Sequence, residues 1–179
     1  MFNLDRKSVL VAGHTGLVGS ALVRRPADEP IGELITASTA TVDFRRQDEV
    51  EAFMCDTRPD VVIVAAARVG GINANQQAQC QFLYDNLMIA ANAIESARLT
   101  ELERTVVLGS SCIYPKESQQ PISESQLLAD PLEPTNEGYA AAKIAALEMT
   151  KLYRRQYGMA AISLMPTNLY GPGDNYDLE

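Results

Sequence analysis

A phenol and an ammonium stand four residues apart in Tyr139-Ala140-Ala141-Ala142-Lys143, a spacing that a helix brings to one face. A free tyrosine titrates near ~10 and keeps its proton at neutral pH. An ammonium beside it stabilises the phenolate and lowers that value. The pair therefore makes Tyr139 a candidate acid for a ketone being reduced. About thirty residues earlier, Ser110-Ser111-Cys112-Ile113-Tyr114-Pro115 closes an apolar run with a hydroxyl and a thiol. Ser110 can bond and orient a carbonyl oxygen, or serve as a turn serine after Gly109. Cys112 has two readings. Its thiolate is a competent base toward a carbon next to a ketone, provided the surroundings lower its pKa. Its other reading is a small buried apolar residue, the commoner fate of a cysteine, and Cys55 and Cys80 read as that kind. Lys116 reads as a solvated surface lysine, with a substrate phosphate as the alternative.

A third group lies upstream. Gly13-His14-Thr15-Gly16-Leu17-Val18-Gly19 joins an apolar run, Ser8–Ala12, to an amphipathic one over residues 17–25 that Pro26 stops. Glycines between a strand and a helix permit a tight turn and a close approach of backbone to pyrophosphate. The helix terminus adds N–H donors for the phosphate. Gly13, Gly16 and Gly19 are spaced one residue wider than the usual dinucleotide fingerprint. His14 can touch phosphate or simply fill the loop. The end of the second strand usually selects the cofactor, by an acid for NAD or an arginine for NADP. Thr36-Ala37-Ser38-Thr39-Ala40-Thr41 holds neither. Ser38 and Thr39 suit either cofactor, and Arg45 and Arg46 read as solvated cations.

These groups need a frame. Strands are expected at residues 8–12, 33–36, 61–65, 105–109 and 161–165, with helices over 17–25, 48–57 and 136–157. Leu83, Leu87, Ala90, Ile94 and Ala97 predict another long helix by their four- and three-residue spacing. Residues 115–134, with four prolines, read as loop. Strands without alternation are covered on both faces, and strand–helix alternation implies parallel pairing. The expected fold class is α/β, a doubly wound parallel sheet (Rossmann-like), with ligands beyond the carboxyl ends of the strands. The 179 residues are expected to form one NAD(P)-binding domain.

Composition narrows the function classes. A net charge of −8 offers no basic field for nucleic acid. Neither a membrane-spanning run nor a signal-peptide pattern is present. Three scattered cysteines and a single histidine fit a reducing cytoplasm and no metal site.

Longer phrases resemble a known family. They are Ala12-Gly-His-Thr-Gly-Leu-Val-Gly-Ser20, Ala65-Ala-Ala-Arg-Val-Gly-Gly-Ile72, Tyr84-Asp-Asn-Leu-Met-Ile89 and Leu108-Gly-Ser-Ser-Cys-Ile-Tyr-Pro115. Leu132-Glu-Pro-Thr-Asn-Glu-Gly-Tyr-Ala-Ala-Ala-Lys-Ile144 and Met165-Pro-Thr-Asn-Leu-Tyr-Gly-Pro172 follow. Together they resemble the extended short-chain dehydrogenase/reductases, and within them the GDP-L-fucose synthase family. The glycine loop and the Tyr/Lys pair point only to the superfamily; the runs around Cys112 and Asn168 are more specific. The resemblance implies epimerisation and NADPH-dependent reduction of GDP-4-keto-6-deoxy-D-mannose to GDP-L-fucose. In that scheme Cys112 is the base, Tyr139 the acid, Ser110 the orienting hydroxyl, and Lys143 tunes Tyr139. It further implies a cofactor site lined by Gly13, His14, Thr15, Gly16, Leu17, Val18 and Gly19. Leu108, Gly109, Ser110, Ser111, Lys143, Pro166, Thr167, Asn168 and Leu169 complete that lining. NADP is the implied cofactor, with NAD also open because the family's arginine after the second strand is replaced by Ala37 and Thr39. The implied partners are a GDP-sugar and a second copy of the chain, docked through the two long helices. The family's histidine acid and C-terminal substrate domain follow the segment matched by Gly171-Pro172-Gly173-Asp174-Asn175. The chain is thus expected to be an N-terminal part, truncated before that domain and impaired by the loss. Other readings are a non-catalytic nucleotide-binding or interaction fragment, and another NAD(P)-dependent sugar-nucleotide epimerase or dehydratase.

Overall fold

Five short runs dominated by valine, leucine and isoleucine pair side by side. Their β-branched side chains fit a pleat covered on both faces. They are β1 (Ser8–Ala12), β2 (Glu33–Ala37), β3 (Val61–Val64), β4 (Arg104–Leu108) and β5 (Ala161–Leu164). The computed structural model describes residues 2–25 and 29–174. Every pairing is parallel, and the order is β2-β1-β3-β4-β5. Val9 faces Val61 and Ala12 faces Val64, so the carboxyl ends of β1 and β3 lie level. The order reverses between these two strands, which makes their ends the crevice where a doubly wound sheet receives its ligand.

Helices cover both faces. α1 (Leu17–Arg24) packs Leu22 and Val23 against Val9, Val11 and Val61. On the other face, α2 (Gln47–Thr57), α4 (Gln79–Leu99) and α5 (Glu137–Tyr157) enclose Leu10, Val62, Val64 and Val107. Ala90, Ala93 and Ala97 on α4 and Ala146 on α5 are buried together with Ile94, and their small side chains let the two helices approach closely. A short α3 (Ile72–Gln77) precedes α4; the glutamine-rich run there carries no apolar period that would announce it. Pro26, expected to stop the first helix, lies outside the described residues. Among the described residues, no helix is long and apolar enough to cross a membrane.

The stripe predicted for α4 holds only in its second half. Leu83 and Leu87 are each 38% exposed, whereas Phe82, Asp85 and Asn86 are buried. The first turns of α4 meet loops rather than the sheet, and those loops offer backbone polar groups that a buried amide or carboxylate can satisfy. Cys55 and Cys80 are exposed, not buried as expected, because α2 and α4 turn those positions outward.

Candidate active site

The glycine loop is shaped by two close approaches. Gly13 follows β1 with φ +83°, and a Cβ there would stand 2.5 Å from Ala66 Cα at the end of β3. A Cβ on Gly19 would stand 2.0 Å from the Gly13 carbonyl oxygen. Only glycine lets β1, the β3 exit and α1 converge this tightly. Gly16 begins α1 without a side-chain cap, which leaves its first-turn N–H groups for a ligand phosphate.

Above the strand ends runs a crevice with two lobes. One, of about 530 Å³, is lined by Gly13, Thr15, Gly16, residues 37–39 and 42–45, residues 65–68, Asp85 and Ile89. The other, of about 460 Å³, is lined by Gly16, Leu17, Val18, Leu108, Gly109, Ser110, Tyr139, Lys143 and residues 166–169. Gly16, Ala65 and Ala67 border both lobes, so one extended ligand can lie across the switch point. Three residues expected in the lining stand behind it instead. His14 donates through Nδ1 to the Ala37 carbonyl at 3.0 Å, tying the glycine loop to the end of β2. Gly19 is buried beneath the loop. The Ser111 amide donates to the Pro166 carbonyl at 3.2 Å, holding the segment after β5 against the end of β4.

Arg45 is solvent-exposed, as expected of a surface cation, and also borders the crevice. Its Nη2 meets Asp43 Oδ2 at 2.7 Å and its Nη1 lies 3.6 Å from Asp85 Oδ1. Asp85 also holds Arg68 Nη1 at 2.9 Å. The bond from Arg45, outweighing burial, keeps the Asp43 carboxyl below the usual carboxylate range. Lys116 lies outside the crevice and pairs with Glu133 at 3.1 Å.

The chemical groups gather in the second lobe. Tyr139 and Lys143 occupy successive turns of α5, with Lys143 Nζ 5.7 Å from the Tyr139 ring centroid. Lys143 is only 8% exposed, and its Nζ donates to the Leu108 carbonyl at 2.8 Å. Burial pulls its pKa down to about 8. The lysine was expected to lower the Tyr139 pKa. Instead that pKa is raised, mainly by burial; the Ser110 hydroxyl acts against this and charge on Cys112 adds to it. The reason is geometric: Lys143 directs its ammonium at a backbone carbonyl rather than at the phenol. Ser110, extended at the end of β4, accepts the Cys112 amide on Oγ at 3.3 Å. A smaller hollow of about 180 Å³ brings Ser110, Cys112 and Tyr139 together with Val69, Gly70, Asn75 and Asn136. It shares four residues, Val69, Gly70, Ser110 and Tyr139, with the second lobe and so leads from it to Cys112.

Several positioning residues escaped the sequence reading. Asn86 Nδ2 donates to the Arg68 carbonyl at 3.0 Å while its Oδ1 accepts the Arg68 amide at 2.9 Å. Asn92 Nδ2 donates to the Phe44 carbonyl at 2.9 Å. Buried on α4, these amides fix the loops after β3 and β2 that wall the first lobe. Asparagine and aspartate at core positions of an otherwise apolar helix were the available signal.

Comparison with known proteins agrees with this geometry. A model of the NAD dependent epimerase/dehydratase family matches residues 9–179. A GDP-L-fucose synthase of Sinorhizobium fredii is 52% identical over 178 residues, which are 99% of this chain and 56% of that protein. The crystal structure of a Naegleria fowleri GDP-L-fucose synthetase bound to NADP superposes with a TM-score of 0.89 at 30% identity, over 99% of this chain and 55% of the other. A Campylobacter jejuni GDP-D-glycero-L-gluco-heptose synthase, crystallised in the presence of NADPH, gives 0.92 at 32%, over 99% and 52%. The chain thus spans about half the length of the relatives it matches. With a family match that begins in β1 and takes in the glycine loop, both lobes and the Tyr/Lys pair, the chain belongs to the NAD dependent epimerase/dehydratase family.

Proposed function

We propose that this chain carries the cofactor crevice and reacting groups of an enzyme that epimerises and reduces a GDP-linked 4-keto sugar, GDP-4-keto-6-deoxy-D-mannose, to GDP-L-fucose. The observation that carries the reading is the hollow in which Ser110, Cys112 and Tyr139 converge beside the second lobe. The names of the relatives, GDP-L-fucose synthase among them, support the substrate class. NADPH, bound across the two lobes, would supply the hydride and leave as NADP. The α1 terminus with Gly13 and residues 15–18 would hold its pyrophosphate, and residues 166–169 would border the nicotinamide side. Two arginines, Arg45 and Arg68, line the first lobe, and Arg45, which follows β2, is assigned to the 2′-phosphate. Ser110 Oγ orients the ketone oxygen, and Tyr139 gives that oxygen its proton as the ketone becomes an alcohol. Cys112, as thiolate, removes a proton from a carbon next to the ketone to give the enolate, and a proton from solvent water, delivered to the opposite face, inverts that centre.

Titration with NADPH, followed by its fluorescence, and incubation with the keto sugar in deuterated water test this reading. Tyr139→Phe is expected to keep NADPH binding and to slow reduction by ~10²–10⁴-fold. Cys112→Ser is expected to abolish deuterium uptake beside the ketone. Absence of NADPH binding, or uptake unchanged in Cys112→Ser, overturns the proposal.

The proposed assembly is a homodimer through α4 and α5, supported by the apolar groups these helices present outward, Leu83, Tyr84, Leu87 and Leu152. The three cysteines are free thiols, in keeping with a reducing cytoplasm.

A further inference from the structure

Two carboxamides line the hollow beside Cys112, and each has an oxygen buried without a hydrogen-bond partner: Asn75 Oδ1 and Asn136 Oδ1. An unpaired buried acceptor costs about 1–3 kcal/mol, so a pair of them at one small hollow calls for a donor that arrives from outside the chain. Asn75 is 7% exposed. Its Nδ2 donates to the Gly70 and Gly71 carbonyls at 2.7 and 3.0 Å. Carbonyls only accept, so these bonds assign the nitrogen end of the amide and turn the oxygen away from both glycines.

Asn136 reaches the same state by another route. It is the residue before the first turn of α5, where an asparagine ordinarily accepts a helix N–H, yet its side chain makes no capping bond. Gln79 of α4 has taken that duty: its Oε1 accepts the Gly138 amide at 2.8 Å and its Nε2 donates to the Pro134 carbonyl at 2.7 Å. The cap comes from a neighbouring helix, and Asn136, which lines the hollow, keeps its buried oxygen unbonded.

We propose that Asn75 and Asn136 bind the sugar ring itself, each accepting a hydrogen bond from a ring hydroxyl and so setting which carbon faces Cys112. This rests on the keto-sugar reading of the site. Two acceptors with no cation among them select hydroxyl donors and not phosphate. The hydroxyls they hold keep their O–H and C–O bonds throughout the reaction; the one on the carbon next to the ketone changes direction as that centre inverts, while the other keeps its contact and holds the ring.

The test compares GDP-mannose with GDP as probes of the NADP-saturated protein, by calorimetry. The wild type is expected to bind GDP-mannose more tightly than GDP. Asn136→Ala, which removes no hydrogen bond present in the protein, is expected to reduce that excess by about three- to tenfold, the worth of one neutral hydrogen bond. Asn136→Asp, which keeps an oxygen in place, is expected to restore it. Asn75→Ala is expected to act alike, with its melting temperature measured because it also frees the Gly70 and Gly71 carbonyls. NADPH affinity stays level in all variants, which separates loss of a sugar contact from damage to the fold. An unchanged excess in Asn136→Ala, or no excess in the wild type, overturns the inference while leaving NADPH binding and the reductase reading intact. A wild type that fails to bind NADPH overturns that reading, and the inference with it.

Discussion

At the scale of single residues, the proposed acid and the proposed base lie in one hollow. Burial and charge on Cys112 both make Tyr139 hold its proton more firmly. In the proposed reaction, the phenol beside Cys112 therefore still has a proton to give. Lys143 carries the opposite strain, an ammonium in an apolar wall with its pKa lowered to about 8 from 10.5. Above pH 8 the folded chain sheds this proton while the unfolded chain keeps it, so stability rises with pH until 10.5. Urea unfolding across that window should show the wild type gaining on Lys143→Met, by on the order of 3 kcal/mol in full. Parallel curves for the two proteins would contradict the assignment. Arg45 carries the cofactor question. Replacing it by alanine should shift the ratio of NADPH to NADH affinity by about tenfold toward NADH, as expected for one charge-assisted phosphate contact. An unchanged ratio would transfer that role to Ser38 and Thr39.

At the scale of elements, α4 is the post to which the crevice is tied. Its second half is a small-residue face that packs against the sheet and α5. Along the helix runs a row of polar side chains: in the first half Gln79 clips the start of α5 and Asp85 and Asn86 hold Arg68, and in the second half Asn92 holds the loop after β2. The four- and three-residue spacing of apolar side chains gave the helix correctly but assigned Leu83 and Leu87 to the buried face. A periodicity count cannot see that loop carbonyls make asparagine and aspartate cheap to bury at the neighbouring positions. Gln79→Ala should cost about 1–2 kcal/mol, the usual worth of a lost helix cap, and should speed amide exchange at Gly138. Unaltered exchange at Gly138 would show that the clip adds nothing.

At the scale of the whole molecule, the parallel sheet sends all its carboxyl ends to one side, where the crevice lies. That side also presents apolar groups to solvent, among them Val69, Ile72, Leu169 and Tyr170. The outer face of α4 is a second apolar surface, with Tyr84 60% exposed between Leu83 and Leu87. Sedimentation equilibrium should report a dimer, and Tyr84→Glu combined with Leu87→Glu should return a monomer that still binds NADPH. A wild type that stays monomeric, or a dimer indifferent to those two charges, would place the contact elsewhere.

What the sequence determined by itself is the set of features written in local patterns. Unbroken apolar runs alternating with helical ones dictated a doubly wound sheet, and glycines between the first strand and helix marked the ligand edge. The four-residue step from Tyr139 to Lys143 placed both on one face of a helix. Folding in three dimensions set how groups distant in the chain compete for the same partners. Lys143 turned to Leu108 rather than to the phenol, Arg45 was drawn over the crevice by Asp43 and Asp85, and Gln79 displaced Asn136 from its cap. Hydrogen bonds and burial depend on distances that close only when the chain folds, and no spacing along the sequence records them.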